Sequence, residues 1–149
     1  MKEIKFVTCK LVKENSKLYE AERKITSPET VKKAVDVLIG EDLDLAPEEH
    51  FYILMLDTKN KINAVSLISK GSLNASIVHP REVFKPAILN NSASIILVHN
   101  HPSGDTQPSI EDRNITNNLI ECGKILNIKV LDHIIVGDNY YSFKENALM

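Results

Sequence analysis

The run Ser94-Ile95-Ile96-Leu97-Val98 passes without a turn signal into His99-Asn100-His101-Pro102-Ser103-Gly104, a stretch that cannot continue a core strand. A short apolar run of this kind predicts a strand buried on both faces, so the polar chemistry begins where the chain leaves the core. Phe51-Tyr52-Ile53-Leu54-Met55-Leu56 predicts a second such strand beside it. Asp57-Thr58-Lys59-Asn60 supplies turn chemistry after it, and residues 61–69 return as the other arm of a hairpin.

Helices are expected between the strands. Ser27-Pro28 reads as a cap and first helical residue, with Val31, Ala34, Val35, Leu38 and Ile39 at helical spacing and Gly40 to close it. Pro80 opens a second helix with Val83, Phe84, Ala87 and Ile88 on one face, and Pro86 costs it a hydrogen bond. Ser109 caps a third through about Leu126, with Leu119, Ile120 and Ile125 toward the core and Gly123 allowing close packing. Residues 128–136 and 140–143 read as closing strands, 72–78 as irregular or a short edge strand, 41–49 as a connection, 3–11 as a strand and 13–24 as a loop or hairpin excursion. This order predicts an α/β (α+β) layer architecture around one mixed sheet. The domain covers residues 26–149, with residues 1–25 as a strand and loop extension.

A chain of 149 residues is long enough to bury roughly 68–70% of its unfolded surface, so its core needs no metal and any metal it binds is functional. Cys9 and Cys122 form no CxxC pair and read as buried small hydrophobes. The longest apolar run has six residues, Phe51 to Leu56, where a membrane span needs about 20, and no uninterrupted signal segment opens the chain. A cytoplasmic protein with no membrane association is expected. The formal charge of −2 and pI near 6.2 argue against nucleic acid as the main direct partner.

His99 and His101, two residues apart at a strand end, point to the same side of the pleat and suit one ion. Asp112 stands in the first turn of the next helix, where the dipole favours the ionised carboxylate that a hard ligand must be. Ser109 and Asp112 also match the S-x-x-[DE] capping box; a carboxylate has lone pairs for both tasks. Two imidazoles and a carboxylate form a three-donor Zn²⁺ set with the fourth position left to water, the arrangement of a hydrolytic site. Glu48, Glu49, Glu82 and Glu111 compete as the base it needs. Glu111 is turned about 100° from Asp112, Glu82 has a helix-dipole reason to be where it is, and Glu49 precedes the strand beside Ser94 to Val98. The residues themselves leave that choice open.

The pattern H-x-H-P followed by S-x-x-D, carried by His99, His101, Pro102, Ser109 and Asp112, is similar to the JAMM metalloprotease motif of JAB/MPN domains. The fuller run through Gly104 and Pro108 resembles the RadC-like branch, as do Glu49-His50-Phe51, His79-Pro80-Arg81-Glu82-Val83 and Leu131-Asp132-His133-Ile134-Ile135. The resemblance implies an MPN fold, a curved mixed sheet flanked by helices with cytidine-deaminase-like layering. It implies one Zn²⁺ held by His99, His101 and Asp112, with Glu49 as general base and Ser109 steadying the oxyanion. The implied activity is zinc-dependent cleavage of peptide or isopeptide bonds in a peptide or protein substrate, in a family associated by name with DNA repair. The other reading is a non-catalytic scaffold that associates with DNA-processing partners. Longer RadC proteins carry an N-terminal helix-hairpin-helix segment that this sequence does not show, which weakens a direct DNA role. HNH nucleases disperse their three residues, and zinc deaminases need a P-C-x-x-C pair missing here. His133 reads as a core histidine, His50 and His79 stay unassigned, Arg81 reads as a surface salt bridge, and oligomeric state stays open.

Overall fold

The two doubly apolar runs lie at the middle of the sheet. In a computed structural model that describes residues 1–16, 24–40, 43, 46–71 and 78–149, β1 (His50–Leu56), β2 (Ile62–Lys70), β3 (Ser94–Asn100), β4 (Lys129–Val136) and β5 (Tyr140–Ser142) form one sheet ordered β2-β1-β3-β4-β5. β1 pairs antiparallel with both β2 and β3, β3 runs parallel to β4, and β4 pairs antiparallel with β5. The parallel step needs a crossover, which α3 (Ile110–Leu126) supplies; α1 (Pro28–Leu38) and α2 (Pro80–Leu89) are the other helices among the described residues. The mixed single-domain α/β architecture is thus as expected.

Alternation along the strands separates two apolar layers. Phe51, Ile53, Met55, Ile95 and Leu97 meet Val83, Phe84 and Ala87 of α2 and Ile115 and Leu119 of α3. Leu54, Leu56, Ile96, Val98, Ile134 and Val136 meet Val31, Ala34 and Val35 of α1 on the opposite side. Continuing the alternation past Ile95 and Leu97 puts His99 on the α3 side, which is where the sequence needed it to meet Asp112.

The capping signals operate as read. Ser27 and Thr30 form a reciprocal box at α1, and Gly40 ends that helix at φ +70° with its N–H on the Val35 carbonyl. α2 continues through Pro86 to Leu89. Gly123 faces the sheet so closely that a Cβ there would lie 2.4 Å from the Ile128 carbonyl oxygen, so the residue is needed for contact between α3 and the chain entering β4.

Several expectations fail. Residues 3–11 form no strand: residues 1–16 carry no secondary structure, and Ile4, Phe6 and Val7 are exposed. A strand needs a ladder partner as well as a suitable composition, and among the described residues none pairs with this segment. Cys9 is therefore exposed, whereas Cys122 is half-buried against the core. Ile88 and Ile125, expected inside, lie 50% and 85% exposed: Ile88 sits at the edge of its helix's apolar arc, and Ile125 is turned about 120° from Leu119, off the buried face of α3. Lys24 bridges to Lys61, and the Ile25 N–H donates to the Asn60 carbonyl. The expectations for residues 72–77, and much of those for 17–23 and 41–45, lie outside the described residues. No helix among the described residues is long and apolar enough to cross a membrane.

Candidate metal centre

His99, His101 and Asp112 converge at the exit of β3. His99 is fully buried at the strand's end, His101 is the first residue beyond it with its side chain 13% exposed, and Asp112 enters from the first turn of α3. His99 Nε2 lies 3.0 Å from His101 Nε2 and 3.3 Å from Asp112 Oδ1, and His101 Nε2 lies 3.2 Å from Asp112 Oδ2. The two imidazoles face different oxygens of the Asp112 carboxylate, and one ligand atom from each of the three residues lies within 4.8 Å of the others, a grouping that could hold one metal ion. His101, its side chain 13% exposed against 0% for His99 and 3% for Asp112, is the most accessible of the three.

The orientation of His101 follows from its outer contact. Its Nδ1 lies 2.7 Å from the Asp105 carbonyl oxygen, which can only accept, so Nδ1 carries the proton and the neutral ring turns an Nε2 lone pair inward. An outer carbonyl acceptor is a common partner of a metal-binding histidine. The loop that presents this carbonyl is fixed by the Gly104 N–H on the His101 carbonyl and by the Asp138 N–H on the Gly104 carbonyl. Gly104 has φ +86°, and a Cβ there would meet the Asp138 carboxylate at 2.6 Å, so both backbone conformation and space demand glycine.

Asp112 caps α3 and also stands among the donor atoms of His99 and His101, where the second task the sequence allowed it would be done. The Ser109 N–H donates to Asp112 Oδ2 at 2.8 Å, and the Asp112 N–H donates to Ser109 Oγ at 3.0 Å. Neither bond uses the Ser109 hydroxyl proton. Burial alone pushes the Asp112 carboxyl up, but the hydrogen bonds and charge that His101 and His99 supply in their protonated forms, with the Ser109 N–H, outweigh it and hold the group well below the usual carboxylate range. The hydrogen bond with Asp112 raises His101 above an ordinary histidine against the effect of burial, helped by the Asp105 carbonyl and the charges of Asp112 and Glu49. These shifts share one cause, a concentration of lone pairs that attracts positive charge. The donor set thus fits a divalent cation.

The four glutamates separate clearly. Glu82 makes exposed ion pairs with Lys85 at 3.2 Å and Arg81 at 3.8 Å, Glu48 lies 3.7 Å from His50 Nε2, and Glu111 points to solvent. Glu49 is the one whose charge acts on His101. Glu49 and His101 lie just beyond the ends of β1 and β3, whose pairing there is Phe51 with His99.

Asn100, between the histidines, fixes that approach. Its Oδ1 accepts the His50 N–H at 2.6 Å and its Nδ2 donates to the Glu48 carbonyl at 3.1 Å, one bond on each side of Glu49. The Gly71 N–H takes the Glu49 carbonyl at 2.9 Å. Asn100→Ala is expected to cost about 1–3 kcal/mol by leaving the buried His50 N–H without an acceptor, read as a lower urea midpoint. Sequence reading passed over Asn100 and Thr116, whereas His133 is the core histidine it was read to be. His133 is fully buried, stacks on Phe143 at 4.6 Å between centroids, and has Nε2 2.7 Å from His99 Nδ1. Burial, then the adjacent His99, push its imidazolium well below the ordinary range. Thr116 lies four residues after Asp112 on the same face of α3, a signal that was available.

These features define a class: a mixed-sheet α/β domain with a two-histidine, one-carboxylate donor set between a central strand and a helix N-terminus. The profile described as RadC-like JAB domain matches residues 25–148, and the chain belongs to that family. Relatives named UPF0758 protein are 55% identical over 127 residues in Alkaliphilus metalliredigens, covering 85% of this chain and 53% of the relative. The corresponding values are 54% over 129 residues in Caldanaerobacter subterraneus subsp. tengcongensis, covering 80% and 54%, and 52% over 131 residues in Methanosarcina mazei, covering 87% and 56%. The chain therefore spans about half the length of the curated relatives it matches.

Proposed function

We propose that this domain is a zinc-dependent hydrolase of peptide or isopeptide bonds. The observation that carries the reading is the convergence of His99, His101 and Asp112, one ligand atom of each lying within 4.8 Å of the others, with His101 the most accessible of the three. Held by these three residues, a Zn²⁺ ion would supply the acidity that makes a water nucleophilic near neutral pH and the charge that polarises a carbonyl. Glu49, whose charge acts on His101, accepts the proton of the attacking water and returns it to the leaving amine. The Ser109 hydroxyl, whose proton its capping bonds leave unused, donates to the carbonyl oxygen as negative charge develops there. Asn100 keeps the Glu49 backbone in place throughout. The substrate is a peptide or protein in the cytoplasm rather than nucleic acid, in keeping with the −2 charge.

The test is cleavage of a library of peptide- and isopeptide-linked substrates by protein purified without chelator. Turnover is expected to vanish with a zinc chelator and to return with added Zn²⁺. Zinc bound at the site with no cleavage of any substrate would instead support the scaffold reading.

A further inference from the structure

His99 and His101 are oriented by different means. His101 Nδ1 meets a carbonyl, which fixes its proton outright. His99 Nδ1 meets His133 Nε2, and an imidazole nitrogen can either donate or accept. That contact cannot decide by itself which His99 nitrogen carries the proton.

The decision is made one contact further out. Thr116 Oγ1 lies 2.6 Å from the Asp112 main-chain carbonyl oxygen, an atom that can only accept, so the single hydroxyl proton is committed there. Thr116 Oγ1 also lies 2.6 Å from His133 Nδ1. With its proton committed, the hydroxyl must accept, and His133 Nδ1 carries the hydrogen. The ring nitrogens of His133 meet His99 and Thr116, and its ring contacts include Phe51 and Phe143. The Asp132 carboxylate is engaged by the His133 main-chain N–H, the Ser142 hydroxyl and the Lys144 N–H, so a second ring proton would be a fully buried charge with no carboxylate among the ring's hydrogen-bond partners. His133 Nε2 is therefore a lone pair, and the hydrogen between the two rings belongs to His99 Nδ1. His99 Nε2, the atom facing His101 and Asp112, is left unprotonated.

We infer that Thr116 and His133 are positioning residues that hold His99 as its Nδ1–H tautomer and so present the Nε2 lone pair to the donor set. The inference rests on the metal-binding reading of His99, His101 and Asp112, and deepens it. The chain of contacts closes on itself: it starts at the backbone of Asp112 and ends at another member of the same set, so α3 supplies both a donor and the hydroxyl that sets a second donor's tautomer. Phe143 keeps the His133 ring in plane, its own backbone N–H donating to the His133 carbonyl at 3.0 Å.

The experiment pairs long-range ¹H–¹⁵N spectra of the histidine rings in the metal-free protein at mildly alkaline pH with Zn²⁺ affinity measured by competition against a chromophoric chelator. Wild type and Thr116→Ser are expected to show His99 protonated at Nδ1. Thr116→Val is expected to show a mixture of tautomers at His99 and a roughly 10- to 100-fold weaker Zn²⁺ affinity. A His99 protonated at Nε2 in the wild type overturns the inference, and that spectrum decides even if Thr116→Val does not fold. A folded Thr116→Val with wild-type tautomer and affinity overturns it as well. Failure of the wild type to bind Zn²⁺ overturns the metal-site reading, and is distinguishable because the metal-free tautomer is read independently.

Discussion

Glu49→Gln is expected to lower kcat by about 10²- to 10⁴-fold, the usual contribution of a general base, while leaving the bound zinc in place. The carboxamide has the shape of the carboxylate but cannot accept the proton of the attacking water. The backbone at this position is held by the Gly71 N–H and flanked by the two Asn100 bonds, so the exchange leaves the surrounding chain supported. Turnover, zinc content and thermal midpoint measured together separate loss of chemistry from loss of structure. Unchanged kcat would remove Glu49 from the mechanism, and Glu82 would be a poor replacement because it is engaged with Lys85 and Arg81 at the surface.

Asp112→Asn is expected to weaken Zn²⁺ binding by at least about 100-fold with little change in the stability of the metal-free protein. The substitution distinguishes the two tasks of Asp112. An asparagine carbonyl can still accept the Ser109 N–H, as glutamine does in a capping box, so the N-terminus of α3 keeps its support. What is lost is the charge that a hard, anionic ligand supplies. If Asp112 were a cap alone, Asn would bind Zn²⁺ as well as the wild type does, and competition titration would show identical curves.

β1 and β3 were legible because burial on both faces writes a continuous apolar run, and the histidines were legible because they interrupt one. The Ser109 and Asp112 pairing was legible because a capping box has fixed spacing. Residues 3–11 misled because composition records that a segment could pair and says nothing of whether a partner lies beside it. Glu49 stayed one of four candidates because only the folded chain shows which carboxylate acts on His101. His133 was legible as a core histidine, but its closeness to His99 was not, because it follows from β4 lying parallel to β3 with Leu97 opposite His133, a pairing between segments far apart in sequence. Thr116 was hidden because threonine inside a helix is ordinary until its hydroxyl is found between a carbonyl and an imidazole.

The central claim is that His99, His101 and Asp112 hold one divalent cation together. Elemental analysis of the wild-type chain purified without chelator, beside His101→Ala, tests it most directly. The expected result is about one zinc per wild-type chain and close to none in the variant. A wild type that takes up no zinc even when it is supplied, or a variant that keeps the full complement, would contradict the account.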